Sequence, residues 1–264
     1  MSSPAEKISP RPAAELSAAA LSGIPHVHPG DDIADIVLQG LAHSGLSLRR
    51  GDIIVIAQKI VSKAEGRIVD LREVTPSRRA SELAATVDKD PRLVELILRE
   101  STEVVRHRKG VLVVAHRNGT VLANAGIDAS NVAGDDHHVL LLPQDCDRSC
   151  RDIRARIAER TGIQTGVIVI DSLGRAWRNG TVGAALGTAG LPPLLDLRGA
   201  PDLFGRALRT THVGIADEIA AAASMLMGQA DEGTPVVLLR GLQLPDGDGP
   251  ASDLHRAPEQ DLFR

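Results

Sequence analysis

Short apolar runs rich in Val, Ile and Leu recur along the chain, separated by stretches with helical spacing or turn chemistry. They are Asp52–Ala57 (DIIVIA), Val111–Ala115 (VLVVA), His138–Leu142 (HVLLL), Gly166–Asp171 (GVIVID) and Pro235–Arg240 (PVVLLR). Runs this short read as buried strands, because core helices usually need about 10–12 residues. Helices are expected where an acidic cap precedes apolar residues at helical spacing. Asp31 or Asp32 leads into Ile33, Ile36, Val37 and Leu41, and Asp145 or Asp147 leads into Ile153 and Ile157. A third, Ala-rich helix is expected from about Ala216 to Met227, where small side chains permit close packing. The pattern predicts an α/β or α+β fold with mixed sheets.

The chain has 264 residues, 43% of them apolar, which suffices for one large domain or two lobes with a substantial core. Residues 1–14, rich in Pro, Ser and Ala, and residues 245–264, rich in Pro, Gly and Asp, read as flexible tails around a domain at 15–244. Thirty basic against 34 acidic side chains give a net charge of −4, so no long-range field favours a polyanion. Two Phe, one Trp and no Tyr leave little to stack nucleobases on. Nucleic acid is therefore not an expected partner. Cys146 and Cys150 have no second Cys or His pair at zinc spacing and read as free thiols of a reducing compartment. The N-terminus lacks a signal-peptide pattern and no apolar run approaches the ~18–20 residues that span a bilayer, so a cytoplasmic protein without membrane contact is expected.

The most informative stretch is GVIVIDSLGRAWRNG, Gly166–Gly180, where a strand ends on Asp171 and Ser172 and is followed by Gly174, Arg175 and Arg178. A carboxylate at the end of a buried strand can hold a metal beside a substrate, with a hydroxyl as a further hard oxygen donor. The arginines offer planar forks for phosphate or carboxylate. A helix cap and a surface ion pair suit the same letters. Asp128, in the polar turn NAGIDASNV with Ser130 and Asn131, is the second acidic candidate, although an Asx-turn has the same composition. Lys59 and Lys63, four apart in QKIVSKAEG, are candidate cations for phosphates, or a solvated lysine face. The loop MGQADEGTP, from Met227, offers Gln229, Asp231 and Glu232 as donors, with Gly228 admitting close approach. There is no G-x-x-x-x-G-K-[ST] pattern, so a nucleotide site here is not a P-loop. The histidines show no metal spacing, and no Gly-x-Ser-x-Gly elbow accompanies them.

Taken in order, GIPHVHPGDD (Gly23–Asp32), IAQKIVSKAEGR (Ile56–Arg67), AGIDASNV (Ala125–Val132), VIVIDSLGRAWRNG (Val167–Gly180) and MGQADEGTPVVLLRG (Met227–Gly241) resemble the coenzyme F420-0:L-glutamate ligase family. The resemblance implies a two-lobed fold without a P-loop, GTP-dependent addition of L-glutamate to the lactyl carboxylate of the deazaflavin F420-0, and further γ-linked glutamates. It also implies Mg²⁺ or Mn²⁺, K⁺, a homodimer, and the stand-alone form without a fused flavin-binding domain. By motif, the metal ligands are Asp128, Asp171, Ser172 and Gln229. The GTP contacts are Ile24, Pro25, His26, Val27, Gln58, Lys63, Asn131, Met227, Gly228, Gln229, Ala230, Asp231, Glu232, Gly233 and Thr234. Asp171, Lys63, Arg175 and Arg178 are the candidate catalytic residues. Ser172 stands where the family often has Thr, and His26 where an acidic or apolar residue is usual. An amide ligase acting on another acid, or a non-catalytic GTP-binding protein, is the alternative. Trp177, the single indole, reads as a core side chain, with stacking on an acceptor ring as the other reading.

Overall fold

The computed structural model describes residues 15–129, 132 and 135–262. The expected N-terminal tail, Ser130 and Asn131 lie outside the described residues.

Along the chain, β1 (Ser17–Ala20), α1 (Ile33–His43), β2 (Ile53–Ala57), α2 (Gln58–Ala64) and β3 (Ile68–Asp70) come first. They are followed by α3 (Arg78–Val87), α4 (Pro91–Arg99), β4 (Ser101–Arg108), β5 (Val111–His116), β6 (Val121–Ala123) and β7 (His138–Leu140). Then come α5 (Cys146–Thr161), β8 (Gly166–Arg175), β9 (Arg178–Ala189), β10 (Leu195–Asp196), β11 (His212–Val213), α6 (Ile215–Met227) and β12 (Val236–Arg240).

All five expected strands form: β2, β8 and β12 in the largest sheet, β5 in a three-stranded sheet and β7 paired with β3. The larger sheet has the order β1-β12-β2-β8-β9, in which β2 and β8 run parallel and the other pairs antiparallel. Side chains alternate across a strand, so an unbroken apolar run requires cover on both faces. That cover is present. Ile54, Ile56, Val167 and Val169 pack with α1, α2 and α5, while Ile53, Val55, Ile168 and Ile170 pack against α6. The result is a layer of helices on each side of a mixed sheet, as the α/β expectation required.

The caps behave as their side chains dictate. Asp32 accepts from Ala34 N at the start of α1, and Asp145 from Arg148 N at the start of α5. Cys146 and Cys150, on the buried side of α5, are free thiols whose pKa is pushed up by burial. Strand β9 is Gly- and Ala-rich because α6 lies directly on it: a Cβ at Gly183 would stand 2.4 Å from the Ala220 carbonyl oxygen.

A second core forms where α3 and α4 cover the antiparallel sheet β4-β5-β6, burying Val87, Val94, Ile97, Leu112 and Val114. From this unit the chain turns back through Asn124, Ala125 and Gly126, all with left-handed φ (53°, 55° and 68°). Asp128 is then fixed by a two-way backbone pair with Leu140, N to O at 3.0 Å and O to N at 2.8 Å. The turn and the pair together aim Asp128 at the end of the larger sheet.

The expected C-terminal tail is instead held against the body for much of its length. Thr188 Oγ1 donates to Gly249 O at 2.7 Å, Gly190 N donates to Asp248, and Ala251 N donates to Asp147 Oδ1 at 2.9 Å. Ala251 is buried. Three donors with fixed acceptors order a segment that composition alone marks as loose.

Candidate functional site

The parallel register of β2 and β8 pairs Ala57 with Ile170, so the next residues, Gln58 and Asp171, emerge side by side at the C-terminal edge of the sheet. Ligands commonly bind beyond this edge, where strands end and loops begin. A cavity of about 1230 Å³ opens there, larger than a typical single-ligand pocket of roughly 300–1,000 Å³. Its walls come from every one of the five motifs: Ile24–Val27, residues 57–60 with Lys63, residues 126–128, residues 170–174, and the loop 227–235. Thus Ile24, Pro25, His26, Val27, Gln58, Lys63, Asp128, Asp171, Ser172, Met227, Gly228, Gln229, Ala230, Asp231, Glu232, Gly233 and Thr234 line one space. Val132, from the third motif, lines it too, as do Leu122, Thr181 and Ser224, which the sequence reading does not single out.

Asp171 is a strongly perturbed acid of this space. Desolvation pushes its carboxyl up to about 6, and the charge of Asp128 adds to the rise. The backbone N–H of Ser172, 2.8 Å from Oδ1, and the Lys59 ammonium oppose it. Lys59 itself, from α2, stands with Nζ 2.6 Å from Asp128 Oδ2. The two lysines lie one helical turn apart on the same face. Burial lowers the Lys63 pKa, and the neighbouring Lys59 charge lowers it further. A partly desolvated Lys63 in the same space as a desolvated Asp171 makes a site whose charge balance is set by what enters it.

Among the described residues no group of three or more His, Cys, Asp and Glu is placed to hold a metal. The oxygen set of Asp128, Asp171 and the Ser172 hydroxyl nevertheless fits a hard divalent cation, which is held by one or two carboxylates when phosphate oxygens and water complete the shell. The carboxylates lie close enough for each to feel the other's charge, the condition that a shared cation relieves.

Two polar features belong to the cavity wall. Ser62 Oγ donates to Gln58 Oε1 at 2.8 Å inside the protein, and Gln58 Nε2 is buried without a hydrogen-bond partner. An unmatched buried donor costs about 1–3 kcal/mol unless something supplies the acceptor. In the loop after α6, the N–H groups of Ala230, Glu232 and Gln229 hold the Glu232 carboxylate below its ordinary range, with Ala230 N 2.8 Å from Oε2. These N–H groups form a cradle for an anion. Thr234 Oγ1 donates to the carbonyls of Leu226 and Met227 and closes the helix end.

Arg175 and Arg178 are not among the residues lining the cavity. They face each other at the exposed tip of the β8–β9 hairpin, and Trp177 between them is 89% exposed, not a core side chain. The aromatic and cationic tip is reached by the strand that carries Asp171, four residues back.

Residues 23–241 match the profile of the F420-0:gamma-glutamyl ligase family. A coenzyme F420:L-glutamate ligase of Methanothermobacter thermautotrophicus is 49% identical over 253 residues, covering 94% of this chain and 99% of the relative. Enzymes of the same name from Methanopyrus kandleri and Archaeoglobus fulgidus are 45% and 42% identical, covering 90% and 92% of this chain and 93% and 94% of the relatives.

Proposed function

The chain belongs to the F420-0:gamma-glutamyl ligase family, and on that premise we propose that it joins L-glutamate to the lactyl carboxylate of coenzyme F420-0 at the expense of GTP. Further γ-linked glutamates extend the product. The observation that carries the reading is the meeting of Asp128 and Asp171, from two different structural units, in a cavity that also holds the lysines and the anion cradle. Its volume suits a nucleotide and an acceptor held together.

A carboxylate resists attack by an amine because oxide would have to leave. Transfer of the γ-phosphoryl of GTP to the acceptor carboxylate gives an acyl phosphate, from which phosphate leaves readily. Asp128, Asp171, Ser172 and Gln229 would hold Mg²⁺ or Mn²⁺, which would supply charge neutralisation at the phosphates. The rest falls to the chain. Lys63 and Lys59 place fixed positive charge beside the transferring group. Gln58 Nε2, held in orientation by Ser62, donates to the nucleotide. The N–H groups of Gln229, Ala230 and Glu232 receive phosphate oxygens when the Glu232 carboxylate moves aside. The α-amine of free glutamate is protonated at neutral pH, so it must give up a proton before it attacks as the free base. The proposal includes K⁺ and a homodimer, as the family resemblance implies, and the cytoplasmic location expected from the sequence.

The deciding experiment is mass spectrometry of F420-0 after incubation with the protein, GTP, Mn²⁺ and glutamate. One added glutamyl unit with matching GDP release supports the reading. Ligation of a different acid, or GTP binding without GDP release, replaces it. Lys63→Ala is expected to raise the GTP requirement by a loss of about 1.5–3 kcal/mol in a charged contact. An unchanged GTP titration removes Lys63 from the site.

A further inference from the structure

The lining of the cavity runs along β8 from Ile170 to Gly174 and includes Thr181, the cross-strand partner of Gly174. The next pair outward is Arg175 with Arg178, and the turn between them carries Trp177. The hairpin tip therefore continues the cavity wall into solvent. Trp177 has φ 65°, a left-handed conformation that a bulky side chain rarely adopts, and its indole is 89% exposed. Both arginines are exposed beside it. The tip thus combines an aromatic face with two permanent planar cations at the mouth of a phosphate-ready cavity.

We propose that this tip is the acceptor's ring subsite: Trp177 stacks on the planar heteroaromatic end of the acid, and Arg175 and Arg178 hold anionic or hydroxyl groups on the chain leading into the cavity. The assignment rests on the ligase reading above and adds to it the place of the acceptor. An acid with a ring at one end and its reacting carboxylate at the other must keep the two apart. Four residues of strand separate Asp171 from Arg175, about 13 Å at roughly 3.3 Å per residue. With the carboxylate beside Asp171, an extended chain directed along β8 brings the ring to the tip. Charge at the entrance favours the same occupant, since an anionic acid meets the Arg175 and Arg178 guanidiniums there.

The protein has one Trp and no Tyr, so its indole emission reports on Trp177 alone. The probe is F420-0 without GTP, with acrylamide quenching of Trp177 measured before and at saturation. The subsite predicts that quenching falls severalfold on saturation, and that Trp177→Ala raises KM for F420-0 on the order of tenfold or more while KM for GTP moves less than twofold. Arg175→Gln and Arg178→Gln raise the same KM, with circular dichroism confirming that each variant folds. Undiminished quenching at saturating F420-0, or an unchanged acceptor KM in Trp177→Ala, overturns the assignment. Shielding that instead grows with protein concentration, before any acceptor is added, assigns the tip to a second copy and also overturns it. If the wild-type protein transfers no glutamate, the ligase reading fails by itself, and the quenching result still decides whether the tip binds the ring.

Discussion

Lys59 Nζ lies 2.6 Å from Asp128 Oδ2, joining helix α2 of the larger unit to the turn that leaves the smaller one. Both side chains are about a quarter to a third exposed, so the pair is neither a surface contact nor a dry one. The ammonium offsets negative charge that Asp128 and Asp171 otherwise concentrate.

Replacing Lys59 by Met is expected to lower the melting temperature of the metal-free protein by a few degrees, a loss of about 1 kcal/mol. Mn²⁺ then restores more stability to the variant than it adds to the wild type, because the two carboxylates lack their internal counter-ion. Thermal melts with and without Mn²⁺ measure both shifts. Equal metal-induced shifts would show that Lys59 does not share the carboxylates with the metal.

Asp171→Asn is expected to abolish ligation and to stabilise the metal-free protein above neutral pH. The folded-state pKa of Asp171 is raised to about 6, so between about pH 4 and 6 the folded protein retains a proton that the unfolded chain releases. Its contribution is complete below the unfolded value and is lost as pH rises through the folded one. Melts from pH 4 to 8 in a chelator should therefore fall for the wild type across that window and fall less for Asp171→Asn. Parallel curves would place the carboxylate elsewhere, and normal turnover would remove it from the chemistry.

Gly228→Ala tests the loop after α6. Gly228 has φ 72°, and an added Cβ would stand 2.0 Å from Glu232 Cδ. Strain of about 1 kcal/mol and a displaced Glu232 should raise KM for GTP by roughly an order of magnitude, with the helical signal in circular dichroism preserved. A GTP titration that matches the wild type would show that the cradle is not used.

Ending the chain after Leu244 should lower the melting temperature by several degrees, since Thr188, Gly190 and Asp147 lose their partners at Gly249, Asp248 and Ala251. A truncated protein as stable as the full chain would return residues 245–264 to the status of a tail.

The strand carrying Asp171 was legible because GVIVID has no polar break and is covered on both faces, and its caps and neighbouring helices obeyed local rules. Strand β9 was not. RNGTVGAALGTA lacks the β-branched density that marks a strand, because its small residues answer to the helices lying on it rather than to backbone preference. Helices α3 and α4 are not among the elements expected from the sequence, although Asp90 before Pro91 is a recognisable start. The site residues were readable as segments, yet the ion pair of Lys59 with Asp128 was not, since it depends on the left-handed turn at Asn124–Gly126. Trp177 failed in the other direction: an indole usually belongs inside, and only the hairpin shows it outside.

The parallel neighbours β2 and β8 are separated in the chain by everything from Gln58 to Thr165. Closing so long an excursion spends chain entropy before any contact between those strands rewards it, and pairings of that kind form slowly. Gln58 and Asp171 can meet only once that closure is complete, so in refolding the recovery of ligand binding should trail the recovery of helical signal. The smaller unit, built from neighbours in sequence, is free to assemble while the site does not yet exist.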